Sequence, residues 1–403
     1  MSQTYARPEA ARYDVVIVGG GIYGAAISWF LSRDRGFDGT ILVVEKDPSY
    51  AKAATSHTNS CIRQQFSTAI NVEISRFGAA FIKGFRDHLG DARVPKIVLQ
   101  PFGYLFLADT ETALANLKDQ YTVQQAAGAA TMHLTRDEIA ERYPFYALDD
   151  ILGGNHNLLD EGYFDGNTMF DWWKRLSREN GVTWLTNEAV ELKLSANGTR
   201  VEGVTFQTGE TVACGTLVNS GGTWGVRTAR MAGLDLPIEP RKRYTYIFDA
   251  AQPLDRDLPL TIDPSGVHVR TDGRYYMVGS AGHDDPPVDP DDFAADHGLW
   301  EDKVWPALAS RIPQFEAVKL INFWVGHYDY NRIDQNAIVG PDPRVTNFIY
   351  ANGFSGHGLQ QSPALARGIA EWIAHGAYRT LDLSPLGIAR LTQPRSAREQ
   401  AVI

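Results

Sequence analysis

The stretch Asp14-Val15-Val16-Ile17-Val18-Gly19-Gly20-Gly21-Ile22-Tyr23-Gly24 decides how the rest of the chain is read. After Asp14, the four residues Val15 to Val18 are apolar and β-branched and stop at glycine, the mark of a short buried parallel strand. A helical run, Ala25 to Ser32, follows, and then a second buried strand, Thr40 to Val44, closed by Glu45. Strand, glycine turn, helix and strand make a βαβ unit. Within it, Gly19-x-Gly21-x-x-Gly24 has the dinucleotide spacing. The first glycine allows the tight turn, the second a close pyrophosphate, and the third close packing of helix on strand. The helix N-terminus adds free N–H groups and a partial positive charge. Glu45, 21 positions after Gly24, can accept from both ribose hydroxyls. An acid there argues against a 2′-phosphate and favours FAD or NAD over NADP.

Working outward, two segments favour FAD. Ala54-Thr55-Ser56-His57-Thr58-Asn59-Ser60 is a small polar run suited to pass beneath a pyrophosphate. Read alone, its plainer alternative is a solvated loop. Gly353-Phe354-Ser355-Gly356-His357-Gly358-Leu359 is a second glycine loop before a helix, read from Pro363 to His375. Its N–H donors suit the negative charge that a reduced flavin carries at O2.

The remaining chain fits an α/β protein of more than one part. The 403 residues are too many for one ordinary core. A 44 % hydrophobic composition excludes general disorder. A net charge of −10 speaks against nucleic acid held on a basic surface. Two cysteines, Cys61 and Cys214, cannot build a disulfide framework or a Cys-rich metal site, and the ten histidines lack ligand spacing, so no metal is expected. Residues 1–12 carry no apolar signal core, and no run reaches the roughly 20 apolar residues of a membrane span. A cytoplasmic protein without a transmembrane segment is expected. Helices are read at 71–89, 111–127 and around Trp172-Trp173; strands at 103–108, 182–185, 190–194, 201–205, 217–219, 244–248, 267–270, 275–278 and 348–351.

The Val15–Gly24 run, the Ser56–Arg63 segment and Asn352-Gly-Phe-Ser-Gly-His-Gly-Leu resemble the D-amino-acid oxidase (DAO) superfamily of flavoproteins, in its sarcosine oxidase and dimethylglycine dehydrogenase branch. Pro240-Arg-Lys-Arg-Tyr, Asp302-Lys-Val-Trp-Pro, Tyr328-Asp-Tyr-Asn, Asp334-Gln-Asn and Gly353 to Gln361 are similar to the FAD-dependent oxidoreductase domain-containing protein 1 group. The resemblance runs from about Tyr13 to the last residues. It implies a Rossmann-like FAD-binding domain of the glutathione-reductase type in three pieces, 1–91, 151–235 and 326–403. An interleaved substrate domain on a mixed antiparallel sheet would take 92–150 and 236–325. The implied chemistry is oxidation of a C–N bond in an amine or amino acid, with a secondary or N-substituted amino acid expected. A hydride passes to flavin N5, and the imine hydrolyses to an amine and a carbonyl product. A second role also follows from the group: an FAD-containing assembly factor for a respiratory complex, with little turnover. The absence of a visible presequence weakens it.

The resemblance also assigns residues. FAD, expected to be non-covalent, would meet Gly19, Gly21, Ile22, Tyr23, Gly24, Glu45 and Lys46; then Thr55, Ser56, Asn59, Ser60 and Val190. Ser220, Gly221 and Trp224 would add to it, with Gly353, Phe354, Gly356, His357, Gly358, Leu359 and Gln360 at the far end. Arg63 looks like the arginine that grips the substrate carboxylate, as an always-charged fork can; its ordinary alternative is a structural ion pair. Gln360 stands where sarcosine oxidase has a second carboxylate-binding lysine, and an amide brings no charge. His327 stands where that enzyme links flavin through cysteine, so the linkage is excluded there. Met277 falls near its oxygen-activating lysine, which favours a dehydrogenase passing electrons to a protein or quinone. Tyr244 and Tyr246 are expected on one face of a strand, with Arg241 and Arg243 on the other. His357 is expected to orient its loop.

Overall fold

The protein is described by a computed structural model, which covers residues 4–392 and 398–402. The outermost ends of the expected pieces, residues 1–3 and 403, lie outside the described residues, as do 393–397.

The first strand, Arg12–Val18, lies between two parallel neighbours, Thr211–Asn219 and Ile41–Glu45. Its side chains alternate between two cores. Val15 and Ile17 join the cluster under the helix Ile22–Ser32, while Val16 packs with Leu42, Val44 and Leu217 on the other face. A run such as Val15–Val18, apolar at every position, is therefore satisfied only in the middle of a covered sheet. The sheet continues outward to Thr183–Thr186 on one side and Phe348–Asn352 on the other, both in parallel register, and ends in the antiparallel strand Ile338–Pro341. Val201–Phe206 and Ala189–Leu194 extend it from Thr211–Asn219. Helix Ile22–Ser32 packs between Gly166–Glu179 and Gly358–His375.

A second sheet runs in the order Val318–Asn331, Ile238–Ala250, Tyr275–Ala281, His268–Asp272, Leu260–Ile262, Tyr104–Ala108, Gly153–Asn157, Met132–Thr135. All its pairings are antiparallel except that of Leu260–Ile262 with Tyr104–Ala108. Its core gathers Phe248, Tyr276, Leu308 and Phe315. This mixed, mainly antiparallel sheet beside the doubly covered one is the expected fold class. Two strands cross the boundaries drawn from the sequence. Gly153–Asn157 bonds into the second sheet although 151 onward was assigned to the first part, and Val318–Asn331 spans residue 326.

Local departures have local causes. The helix expected over 71–89 divides into Ala69–Lys83 and Phe85–Leu89 at Gly84. The last long helix begins at Gly358, a turn before Pro363. The carbonyl of Leu359, which Pro363 cannot reach for want of an N–H, accepts instead from Ser362 Oγ at 2.7 Å.

Candidate active site

The glycines of the first motif make a tight cradle. Gly19 takes φ +105°, and a Cβ there would lie 2.3 Å from the Ser220 carbonyl oxygen; a Cβ on Gly24 would lie 2.1 Å from the Gly19 carbonyl oxygen. Both contacts are with backbone, so neither can yield cheaply. The Gly20 N–H donates to Glu45 Oε2 at 2.8 Å, and Asp47 N–H to Oε1 at 2.8 Å. Burial raises the Glu45 carboxyl, and these two donors partly offset that. Ile22 N–H, in the first turn of the helix, donates to Thr55 Oγ1 at 3.0 Å. The polar run after Glu45 is thereby tied to the mouth of the helix.

The second glycine loop meets the first. Asp329 Oδ2 accepts from Gly353 N–H at 2.8 Å, and the Phe354 N–H also bonds this carboxylate. Those donors are thus used inside the protein. The N–H groups of Gly358, Leu359 and Gln360, in the first turn of the last helix, have no intrahelical acceptor. Among the described residues, both glycine segments open on one cavity of about 310 Å³.

The cavity brings together most of the residues singled out from sequence. Gly19, Gly21, Ile22, Tyr23, Glu45, Lys46, Thr55, Asn59 and Ser60 line it, as do Ser220, Gly221, Trp224, Phe354, Gly356, His357, Gly358, Leu359 and Gln360. Lys46 Nζ sits 3.3 Å from the Trp224 ring centroid. Arg63, His327 and Tyr244 line it too. Five do not. Gly24 lies beneath the cradle, Ser56 faces solvent, and Gly353 is spent on Asp329. Val190 is 39 % exposed, and its strand neighbour Ala189 lines the cavity instead. Met277 stands one layer back, where its sulfur accepts from Arg270 Nη2 at 3.2 Å. Arg243 and Tyr244, expected on opposite faces, both reach the cavity. Arg243 is held by Asp285 at 2.6 Å.

Arg63 is 1 % exposed. Nη1 donates to the Gln65 carbonyl at 3.1 Å, and Nη2 to the neutral Nε2 of His357 at 3.1 Å. Phe66 lies under the guanidinium, 4.2 Å from ring centroid to Cζ. Among the described residues no carboxylate pairs with it. Gln360 Oε1 accepts from the Arg63 backbone N–H at 2.9 Å. His327 Nε2–H donates to the Asp292 carbonyl at 2.9 Å, and the ring stacks on Phe293 at 4.1 Å; burial lowers its pKa.

Sequence reading missed Tyr104, Thr245, Leu260, His268 and Tyr328, which also line the cavity. His268 is pushed down to about 3 by burial and then by Arg243, Arg270 and Arg63. The signal available was slight: a histidine within an apolar strand pattern, and a Tyr-Asp pair at the end of another.

The donor set suits FAD. It offers a glycine cradle at a helix N-terminus, a carboxylate at the end of the next strand, and a second helix N-terminus in the same cavity. The family model described as FAD dependent oxidoreductase (DAO) matches residues 14–372. FAD-dependent oxidoreductase domain-containing protein 1 of Xenopus laevis is 35 % identical, over 97 % of this chain and 85 % of its own length. Among solved structures, L-proline dehydrogenase from P. horikoshii superposes with a TM-score of 0.80 at 24 % identity, covering 93 % of this chain and 96 % of its own. Glycine oxidase from Geobacillus kaustophilus gives 0.78 at 22 %, covering 94 % and 98 %. The two structures share the fold with this chain.

Proposed function

Because this chain belongs to the FAD dependent oxidoreductase (DAO) family, with FAD as its cofactor, we propose that it oxidises the C–N bond of an amino acid, with a secondary or N-substituted one as the substrate class. The observation that carries this reading is Arg63: a buried guanidinium without a carboxylate partner among the described residues, in the wall of the cavity that holds the cofactor residues. Bound FAD supplies a two-electron acceptor for the substrate hydride, held without a covalent link. Arg63 binds the substrate carboxylate through charge-assisted hydrogen bonds. Gln360 adds an amide without charge. His268 and His327, both held towards the neutral form, keep further positive charge away from the substrate ammonium. The imine product then hydrolyses to an amine and a carbonyl compound. The names of the superposed proteins, an L-proline dehydrogenase and a glycine oxidase, are in keeping with this class. The division into cofactor and substrate parts belongs to the same proposal.

Met277 does not reach the cavity, so its lack of charge no longer favours an electron carrier over oxygen. Oxygen uptake set against reduction of a soluble quinone measures which acceptor is used. The reading itself is tested by mixing the yellow holoprotein anaerobically with N-alkyl and unsubstituted amino acids. The visible flavin band should bleach with at least one, and Arg63→Ala should abolish the bleaching. A band that survives every secondary amine and amino acid sinks the proposal.

A further inference from the structure

The guanidinium of Arg63 is held from behind by a segment more than 300 positions away. Its Nη2 donates to the carbonyl oxygen of Ala401. The ring of His357 is the other partner of Nη2, so the Ala401 carbonyl and the imidazole hold the same nitrogen. With the Gln65 carbonyl on Nη1, three of the roughly five N–H donors of the fork are taken.

Ala401 owes its place to Glu399, which is 1 % exposed. Glu399 Oε1 accepts from the Ser67 N–H at 2.7 Å, from Ser67 Oγ at 2.7 Å and from the Ala401 N–H at 3.0 Å. Oε2 accepts from Thr68 Oγ1 at 2.9 Å and from Asn71 Nδ2 at 2.8 Å. The Glu399 N–H donates to the Asp334 carbonyl at 2.9 Å, and Gln400 N–H to Ser67 Oγ at 2.8 Å. Asp334 is itself clamped by Arg390 at 2.7 Å. Ser67, Thr68 and Asn71 follow closely on Arg63 in sequence. One carboxylate thus joins the stretch after Arg63 to the extended end segment that faces its side chain.

We propose that Glu399 is a positioning residue for carboxylate recognition. By locking residues 399–401 it presents the Ala401 carbonyl to Arg63 and sets the direction in which the remaining N–H donors face the cavity. This rests on the reading of Arg63 given above. A guanidinium buried among carbonyls and rings has several ways to lie; only a fixed acceptor behind it makes one orientation dominant.

The test titrates FAD-loaded protein with benzoate, acetate and pyrrole-2-carboxylate, and with benzamide as the uncharged control, following the visible flavin spectrum. Two variants are compared with the parent: Glu399→Ala, and a chain ended at Gln400. The second keeps Glu399 with its Ser67, Thr68 and Asn71 donors and removes the Ala401 carbonyl together with the one N–H that Ala401 gives to Glu399, so it carries the test if the first does not fold. Expected is a carboxylate affinity about tenfold weaker in both, with FAD content and benzamide response unchanged. A change of less than threefold in the chain ended at Gln400 overturns the inference, as does an equal loss for benzamide. Arg63→Ala separates the two readings. If it abolishes carboxylate binding while the other variants bind normally, Arg63 keeps its role and Glu399 loses its own. If Arg63→Ala, too, binds like the parent, or the parent binds no carboxylate of the panel, both readings fall.

Discussion

The hydroxyl of Tyr23 donates to the carbonyl oxygen of Gly358 at 2.9 Å, across 335 positions of sequence. The same ring lies on Phe354, centroids 3.8 Å apart and 9° from parallel. The two glycine segments are therefore joined directly, one polar and one aromatic contact deep. Tyr23→Phe keeps the stack and loses the hydrogen bond. It should lower unfolding stability by about 1 kcal/mol. Urea midpoints at unchanged m-value measure this, and gel filtration should show easier loss of FAD. An unchanged midpoint would mean that the stack alone joins the segments.

Gly24→Ala is expected to yield folded protein without colour. The added methyl would meet the Gly19 carbonyl oxygen at 2.1 Å and push apart the strand end and the helix that together form the cradle. Far-ultraviolet circular dichroism should remain near that of the parent. Recovery of a yellow variant with full FAD content contradicts the role given to this glycine.

Two buried groups should give stability–pH slopes of opposite sign. Glu161 accepts from Gln64 N–H, Gln65 Nε2 and Asn157 Nδ2; burial pushes its carboxyl up to about 7, and these donors only partly offset that. Its folded pKa is above the ordinary 4.5, so its contribution is fully present below about pH 4.5 and is lost as pH rises through 7. His268, pushed down to about 3 from 6.5, contributes stability above pH 6.5 that is lost as pH falls towards 3. The stability difference between parent and Glu161→Gln should shrink from pH 4.5 to 7 and then level. That between parent and His268→Asn should grow from pH 4 to 6.5. Chemical denaturation at fixed ionic strength measures both; parallel curves in either pair refute that half of the prediction.

Ion pairs should differ sharply in worth. Arg311 binds Asp263 at 2.6 Å and Asp150 at 2.8 Å, with its own side chain 9 % exposed. Arg311→Ala leaves Asp263 without its partner and should cost about 3 kcal/mol. Lys52 and Asp291 are 54 % and 52 % exposed, so Lys52→Ala should cost under about 1 kcal/mol. Equal costs in thermal or urea unfolding would contradict this.

Much of this architecture is legible in the residues. Val15–Val18 and Ile41–Val44 are apolar without alternation because both faces of the sheet are covered, and the glycines name their own contacts. Gly153–Asn157 reads Gly-Gly-Asn-His-Asn and carries no strand signal. It is a strand because Asn155 finds the Leu117 carbonyl at 2.7 Å and because partners lie on both sides. Tertiary context there overrides propensity. The site divides in the same way. Loop glycines and Arg63 stand in recognisable local patterns. His268, Tyr328 and Ala401 reach the cavity or Arg63 only through pairings between distant strands and the path of the last residues, which no local spacing records. Val190 shows how small an error matters: one position along a strand turns a side chain from cavity to solvent.

The order of strands in the first sheet also sets a timetable. Its central strand, Arg12–Val18, leaves the ribosome early, but Phe348–Asn352 and the Gly358 carbonyl that Tyr23 needs emerge some 335 residues later. At roughly 5–20 residues per second the wait is about twenty to seventy seconds. Through that interval the growing sheet has an open edge and a half-made nucleotide cradle. The nascent chain must be shielded or kept unpaired until roughly its last seventh arrives, and a ribosome that stalls before residue 348 releases a product in which the cofactor site cannot close.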